Sequence, residues 1–294
     1  MFTGLWLPLV TPFRRGVVDI DALQYLATHY QRAGIDGFVA LGTTAEAALL
    51  SDAEREAVVR ALFDVVGART PIVIGVGGAD TRAVLREIVR WERWDSAGYL
   101  VSPPSYICPD QAGIRWHFEQ VACATERPIM LYDVPHRTGV TIEPDTVARL
   151  VELRNVLAIK ECVKDHFAPL GELPISVLCG TDEAFVDCLS AGGTGGVLAS
   201  AHLCADLLDD ARQLVAAGAR ADARKLFACL IPLLRLLFSA PNPAAIKAML
   251  SFDHPVSLET RMPISSASSE LIERLRKARE HLQDVRAEFV RTVH

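Results

Sequence analysis

Short runs of apolar and β-branched residues alternate with longer amphipathic stretches over about the first 200 positions of the chain. Many of the short runs end in Gly, Pro, Ser or Thr, as strands that enter turns commonly do. The longer stretches carry apolar residues at helical spacing, for example over residues 19–33, 52–66 and 81–94. The pattern predicts eight strands, over residues 5–10, 37–41, 72–76, 98–102, 129–132, 156–159, 175–178 and 194–199. Eight strand–helix units at this spacing favour a closed parallel barrel over an open doubly wound sheet.

The last third of the chain contains no further predicted strand. Residues 201–294 are predicted to form helices, with breaks at Gly218 and at several prolines. We therefore predict an α/β fold: a (β/α)8 TIM barrel over residues 1–217 and a C-terminal helical extension over residues 218–294. An open sheet is the structural alternative. It is disfavoured because no G-x-G-x-x-G follows the first strand, and the G-V-G-G at residues 75–78 lacks the third glycine and the downstream acid of a dinucleotide site.

Composition and charge narrow the class of protein. Half of the residues are hydrophobic, which allows a large core, and the net charge of −6 provides no basic footprint for a nucleic acid. No uncharged run reaches the roughly 18 residues of a membrane helix, and no basic region precedes the N-terminal apolar run. The seven cysteines are scattered without a C-x-x-C, which is typical of reduced thiols. We expect a cytoplasmic protein whose partners are neither nucleic acid nor membrane.

Lys160 is the most informative single residue. Only five of the 30 basic residues are lysines, and this one closes the apolar run at residues 156–159. Active sites of such barrels lie at the C-terminal ends of the strands. A lysine that loses hydration there can attack a carbonyl as a neutral amine and form an imine. The alternative is a lysine that extends to solvent from the strand end or pairs with Glu161.

Other polar residues also follow predicted strands. Tyr132 ends the fifth strand, where a phenol can transfer protons, although rim packing alone would also explain it. Thr43 and Thr44 end the second strand and could hold a carboxylate or cap the next helix. Arg137 has the geometry of a bidentate carboxylate ligand, or it is a solvated loop charge. The histidines are dispersed without metal-ligand spacing, so no metal site is predicted.

Seven segments, in this order and spacing, resemble the dihydrodipicolinate synthase / N-acetylneuraminate lyase family over nearly the whole chain. They are L-P-L-V-T-P-F at residues 7–13, G-T-T-A-E at 42–46, Y-D-V-P-H-R-T-G at 132–139, A-I-K-E at 158–161, G-T-D at 180–182, G-G-T-G-G-V at 192–197, and P-N-P at 241–243 with Lys247 beyond.

The resemblance implies a catalytic role for several of these residues. It implies that Lys160 forms an imine with pyruvate, that Tyr132 is the general acid and base, and that Thr43 links Tyr132 to a second tyrosine. That tyrosine comes from a neighbouring subunit in the family, so a homo-oligomer, usually a homotetramer, is expected, and Tyr106 is the candidate. No metal or organic cofactor is implied, because the lysine itself is the electron sink.

The resemblance also implies the substrate contacts. It places Thr44 on the pyruvate carboxylate, and Gly180 and Leu198 beside the substrate. Arg137, within R-T-G, favours the synthases that condense pyruvate with aspartate semialdehyde. The open alternatives are another pyruvate-dependent aldolase, which cleaves a sialic acid or a 2-keto-3-deoxy sugar acid, and a non-catalytic paralogue that binds keto acids.

Three departures from the family pattern stand out. Ala45 replaces the usual glycine after the two threonines, and Asp133 stands where asparagine is common. The segment around Tyr106 has one residue more than the family's Y-Y-N-x-P, so Tyr106 is assigned to the relay on an altered register.

Overall fold

The computed structural model describes residues 2–293, with side chains as far as Phe289. Eight parallel strands form a closed barrel in the order β1-β10-β9-β8-β7-β6-β5-β4, and β2 and β3 form a separate antiparallel hairpin. The strands are β1 Gly4–Pro8, β2 Phe13–Arg14, β3 Val17–Val18, β4 Gly37–Ala40, β5 Ile72–Val76, β6 Gly98–Val101, β7 Ile129–Asp133, β8 Val156–Glu161, β9 Ser176–Cys179 and β10 Gly195–Val197. Each of the eight predicted strands overlaps one barrel strand, and the predicted (β/α)8 fold is confirmed.

Helices surround the barrel and continue beyond it. They are α1 Ile20–Arg32, α2 Asp52–Val66, α3 Thr81–Trp91, α4 Gln111–Cys123, α5 Pro135–Thr138, α6 Pro144–Leu150, α7 Phe167–Gly171, α8 Phe185–Ser190, α9 Ala201–Ala216, α10 Arg220–Leu237, α11 Ala244–Asp253 and α12 Ser269–Val293. Short 3-10 turns span Thr43–Ala45, Ala47–Leu49, Lys164–His166 and Asp182–Ala184. None of the helices within residues 2–293 combines the length and apolarity that a membrane span requires.

Local sequence determines where several of these helices begin. The side chains of Asp19, Asp80 and Asp110 each accept a hydrogen bond from a first-turn amide of α1, α3 and α4. Ser51 and Glu54 form a reciprocal capping box at the start of α2. Such caps satisfy amides that have no partner within the helix, and each typically stabilises it by about 1 kcal/mol.

The core has two layers. Residues that alternate along the strands fill the barrel interior, namely Trp6, Val39, Val73, Leu100, Met130, Ala158, Leu178 and Val197. The intervening residues, such as Phe38, Ile74 and Ile159, pack outward against the helices. Because successive side chains of a strand point to opposite faces, the next inward positions after this interior layer lie at the barrel mouth.

The C-terminal helices contact one another and the barrel. Helix α11 packs against α9 and α12, and its residues from Ala244 to Leu250 are all buried. The boundary predicted after residue 217 falls in the turn between α9 and α10. That the two parts are separate domains remains a prediction. Helix α11 brings the extension to the mouth of the barrel, because the segment before it lines the cavities described next.

Candidate active site

Lys160 and Tyr132 are neighbours on adjacent strands. They are partners in the register between β7 and β8, so both side chains project into the barrel at its C-terminal end. Lys160 is 7% exposed, and its Nζ lies 4.4 Å from the centroid of the Tyr132 ring. The structure thus places an amine and a phenol side by side in a nearly closed site. A proton donor and a nucleophile in this relation are suited to imine chemistry.

A cavity of about 210 Å³ opens at this end of the barrel. Lys160, Tyr132, Thr43, Thr44 and Gly180 all line it. Its other lining residues are Pro8, His136, Arg137, Cys162, Thr181, Asp182, Glu183, Val197, Ala199, Phe238 and Asn242. The volume suits a small molecule such as a keto acid of a few heavy atoms.

Burial alters the pKa values of three ionisable side chains of this cavity, Asp182, His136 and Cys162. Burial raises the pKa of Asp182, although hydrogen bonds from Ser200 and the charge of Lys160 oppose the effect. Ser200 donates its backbone N–H to Asp182 Oδ1 over 2.7 Å. Burial lowers the pKa of His136, and the charges of Arg137 and Lys160 lower it further.

Gly180 provides the space that Lys160 occupies. A Cβ atom at position 180 would lie 2.9 Å from Lys160 Cγ and 2.6 Å from Cys162 Sγ. Both distances are shorter than real Cβ contacts, so any larger residue would displace the lysine stem. Gly180 is predicted to lie beside the substrate. It also leaves the space through which the Lys160 side chain runs.

A second cavity, of about 480 Å³, adjoins the first. Thr43, Tyr132, Arg137 and Asn242 line both, so these four residues form the boundary between them. Arg137 lies in α5, which follows directly from β7 through Pro135. Arg137 thus lies where the two cavities meet.

Tyr106 lies outside both cavities. Its side chain is 91% exposed, and its backbone has a φ of 71°, in the left-handed region that non-glycine residues seldom adopt. Ser105, the preceding residue, lines the larger cavity. Within one copy of the chain, the structure does not bring Tyr106 together with Tyr132 and Thr43.

The comparisons with known proteins agree with this geometry. The model of the dihydrodipicolinate synthetase family matches residues 1–282. The chain belongs to this family. It is 35% identical to 4-hydroxy-tetrahydrodipicolinate synthase 2 of Clostridium acetobutylicum, over 93% of the chain and 98% of that protein. The predicted family is confirmed.

Solved structures show the same relationship. The 4-hydroxy-tetrahydrodipicolinate synthase of Methylacidiphilum fumariolicum SolV superposes with a TM-score of 0.93 at 32% identity, over 98% of both chains. A structure described as the first monomeric dihydrodipicolinate synthase variant superposes with a TM-score of 0.92 at 29% identity, over 95% of this chain and 96% of the other.

In this member of the dihydrodipicolinate synthetase family, Asn242 is a site residue that sequence reasoning did not assign. Its Nδ2 donates a hydrogen bond of 3.0 Å to Thr44 Oγ1, and its Oδ1 is buried without a partner among the described residues. Asn242 lies 198 residues from Thr44 along the chain. The P-N-P segment was noted in the sequence, but only the fold places it against the two threonines.

The turn that carries Thr43 and Thr44 is also braced from the extension. Glu46, with a φ of 55°, forms a buried ion pair with Lys247 of α11 and accepts a hydrogen bond of 2.7 Å from the backbone N–H of Arg261. Lys247 Nζ also donates to the carbonyl of Glu259 over 2.9 Å. Lys247 and the Arg261 backbone therefore hold the Glu46 carboxylate at the barrel mouth, and the Glu259 carbonyl in turn holds Lys247.

The expected position of Leu198 beside the substrate remains a prediction. Leu198 is fully buried and packs in the outer layer between the strands and the helices. Its neighbours Val197 and Ala199 line the cavity instead.

A second cluster of ionisable groups lies on the outer face of the same two strands. Asp133 and Glu161 follow Tyr132 and Lys160 and are themselves register partners, so their side chains point away from the barrel interior. Burial raises the pKa of Glu161 to about 9, with the charge of Asp133 as a further cause, and burial also raises the pKa of Asp133. His166 lies beside both carboxyl groups. Sequence spacing indicated no metal site, yet these three residues could hold a metal ion.

Proposed function

We propose that the chain is a 4-hydroxy-tetrahydrodipicolinate synthase, a lyase that condenses pyruvate with L-aspartate 4-semialdehyde in lysine and diaminopimelate biosynthesis. The observation that carries this proposal is the placement of Lys160 Nζ beside the Tyr132 ring, in a small cavity at the barrel mouth. The names of the relatives and their coverage of almost the whole chain support the choice of reaction.

The reaction begins at Lys160. Its amine attacks C2 of pyruvate, and the carbonyl oxygen leaves as water, so that an imine joins the substrate to the enzyme. Loss of a proton from C3 then gives an enamine, in which C3 is the nucleophile. The protonated imine accepts the electrons of that C–H bond, so the lysine itself does the work that a metal or an organic cofactor does in other lyases.

Tyr132 is the group positioned to move these protons. Its ring is adjacent to Lys160 Nζ, and it lines both cavities together with Thr43. In the proposed mechanism Tyr132 acts as general acid when water leaves and as general base when the proton is removed. The hydroxyl of Thr44, held by Asn242, binds the pyruvate carboxylate.

The second substrate approaches past Arg137. The enamine carbon attacks the aldehyde carbon of the semialdehyde, and the aldehyde oxygen takes up a proton to become the 4-hydroxyl group. Arg137 can hold the carboxylate of the incoming substrate through two parallel hydrogen bonds. The substrate amino group then attacks the imine carbon, which closes the ring and releases the Lys160 amine.

Tyr106 completes the relay in an assembly. A large aromatic side chain that is 91% exposed in one copy can reach the Tyr132 of a neighbouring copy, and we propose a homotetramer in which it does so. We also propose that the protein works in the cytoplasm. All seven cysteines are free thiols, as is usual for that compartment.

Borohydride trapping tests the nucleophile. Pyruvate and borohydride should give a stable adduct that peptide mapping places on Lys160, and Lys160→Ala should abolish it. Lys164→Ala is the matched control, because Lys164 is four residues away, exposed, and paired with Asp187. A folded protein without an adduct on Lys160 would exclude both this synthase and the other pyruvate aldolases, and would leave the non-catalytic paralogue.

Steady-state kinetics with different aldehydes test the second substrate. The wild type should turn over aspartate semialdehyde far faster than N-acetylmannosamine or glyceraldehyde. Arg137→Ala should raise the KM for the semialdehyde by about 10-fold to 100-fold, as for the loss of a charged hydrogen-bonded contact. A preference for a sugar aldehyde would indicate the related aldolases instead.

A further inference from the structure

The cluster behind the catalytic strands joins three separate elements. Asp133 ends β7, Glu161 ends β8, and His166 ends the 3-10 turn Lys164–His166 that follows β8. One ligand atom from each of them lies within 4.8 Å of the other two. The Asp133 and Glu161 side chains are fully buried, whereas the His166 side chain is 13% exposed.

Two atoms in this cluster have no hydrogen-bond partner among the described residues. They are Glu161 Oε2 and His166 Nδ1, and they point toward each other over 3.5 Å. His166 Nδ1 lies 3.7 Å from Asp133 Oδ2. Two ligand atoms on a tetrahedral zinc ion are separated by about 3.3 Å, given bonds of about 2.0–2.1 Å. The 3.5 Å between Glu161 Oε2 and His166 Nδ1 is therefore long for a hydrogen bond and close to the separation of two ligand atoms on one zinc ion.

The surrounding donors hold the two carboxyl groups in place. Thr141 Oγ1 donates to Asp133 Oδ2 over 2.7 Å, and the backbone N–H of Ile142 donates to Asp133 Oδ1 over 3.0 Å. The backbone N–H of Val163 donates to Glu161 Oε1 over 2.6 Å, which leaves Oε2 directed at the histidine. Supporting contacts of this kind orient the ligands of metal sites.

The second ring nitrogen of His166 also faces a carboxylate, that of Glu143. His166 Nε2 lies 3.9 Å from Glu143 Oε2, and the Glu143 side chain is half exposed. A carboxylate on the second ring nitrogen favours the tautomer in which Nδ1 is free to bind a metal. The same edge of the cluster is the side that solvent can reach, so it provides a route for an ion.

We propose that Asp133, Glu161 and His166 form a binding site for one divalent transition-metal ion of the zinc type. A bound metal ion would displace any proton from the two carboxyl groups, and the two carboxylates with a neutral imidazole would then carry a charge of −2, which a divalent cation balances. Imidazole among the ligands favours zinc over magnesium or calcium, which prefer oxygen alone. Such an ion would be structural, since it would tie β7, β8 and the following turn together on the face opposite Lys160.

Metal-binding measurements on the purified full-length chain test this site. After dialysis against a chelator, titration with Zn²⁺ should show one bound ion per chain, and the melting temperature should rise with zinc but not with magnesium at the same concentration. His166→Ala and Asp133→Asn should each weaken zinc binding by at least about 100-fold. His281→Ala, at an exposed histidine of α12, is the matched control and should bind zinc as the wild type does.

Cobalt provides a second measurement that does not depend on stability. Co²⁺ in a tetrahedral N/O site should give a visible absorption band, which His166→Ala should remove. Absence of stoichiometric zinc binding by the wild type, or equal binding by the His166→Ala and His281→Ala variants, would overturn the proposal. Trapping of pyruvate on Lys160 tests the proposed reaction separately, so either inference can fail without the other.

Discussion

Lys247 and Glu46 form an ion pair whose two side chains are fully buried, and this pair joins helix α11 to the turn that carries Thr43 and Thr44. Neither charge can be rehydrated while the chain is folded. Removing one partner of such a pair leaves the other charge buried without compensation, which typically costs about 3–5 kcal/mol. We expect Lys247→Met to lower the free energy of unfolding by that amount, as measured by urea denaturation.

Lys225 supplies the control for this prediction. It pairs with Asp222 over 3.0 Å, and both side chains are largely exposed. Exposed pairs usually contribute less than about 1 kcal/mol, so Lys225→Met should change the free energy of unfolding little. Similar losses in the two variants would show that the buried pair does not brace the fold.

The sequence predicts local features of this molecule better than contacts between distant residues. The barrel strands follow from apolar runs, and the positions of Lys160 and Tyr132 follow from where those runs end. The pairing of Glu46 with Lys247 spans 201 residues. No period or motif encodes it, because it depends on how the extension packs on the barrel.

Gly180 should be sensitive to the smallest enlargement. A Cβ at this position would lie 2.9 Å from Lys160 Cγ, so Gly180→Ala should shift the nucleophile. Misplacement of a reacting group by about 1 Å can cost about 100-fold in rate. We expect kcat, and the rate of imine formation with pyruvate in stopped-flow measurements, to fall by about 10-fold to 100-fold.

Gly78→Ala provides the comparison for Gly180→Ala. A Cβ at Gly78 would make only an ordinary contact, 3.9 Å from Val84 Cγ2, although this glycine also lines the larger cavity. The Gly78→Ala variant should form the imine with pyruvate at the rate of the wild type. If Gly180→Ala formed the imine just as fast, the path of the Lys160 stem would not depend on the glycine.

Asn242 should act on pyruvate binding through Thr44. Without the 3.0 Å hydrogen bond from Asn242 Nδ2, the Thr44 hydroxyl is free to rotate away from the carboxylate. A hydrogen bond of this kind contributes about 1 kcal/mol, so Asn242→Ala should raise the KM for pyruvate by roughly 5-fold, with a smaller change in kcat. The double variant with Thr44→Val should be less impaired than the product of the two single effects. Fully multiplicative effects would mean that the two residues act independently.

His202 should make folding sensitive to acid. The side chain accepts a hydrogen bond from the Val10 backbone N–H through Nε2, and its Nδ1 lies 2.8 Å from the Ala199 carbonyl. Burial lowers its pKa from 6.5 to about 4. The unfolded chain therefore takes up this proton at a higher pH than the folded chain does. The stabilisation is complete above about pH 6.5 and declines as the pH falls toward 4, by on the order of 3 kcal/mol.

Urea denaturation at pH 7, 5.5 and 4.5 measures this dependence. His202→Asn should reduce the slope of the unfolding free energy against pH by the amount that corresponds to about one bound proton. His281→Asn, at an exposed position, should leave the slope unchanged. Some slope should persist, because burial also lowers the pKa of His117 to about 4. Equal slopes in the wild type and His202→Asn would show that His202 takes up its proton in the folded protein.

Tyr106 allows the proposed sharing of the active site between chains to be tested directly. It does not line the Lys160 cavity within one chain and is almost fully exposed, so its proposed role requires a second copy. Tyr106→Phe should lower kcat by about 100-fold or more, the usual contribution of a positioned proton-transfer group. Lys160→Ala should be inactive. Sedimentation should show that both variants assemble as the wild type does.

A mixed assembly of these two variants distinguishes donation between chains from action within one chain. When the two are co-expressed with different tags and purified as hybrids, one site combines the intact Lys160 of the first chain with the intact Tyr106 of the second. The other site lacks both groups. If Tyr106 is donated by the neighbour, the hybrid should recover up to about half of the wild-type activity per chain. If Tyr106 serves its own chain, every site of the hybrid remains defective and no activity returns.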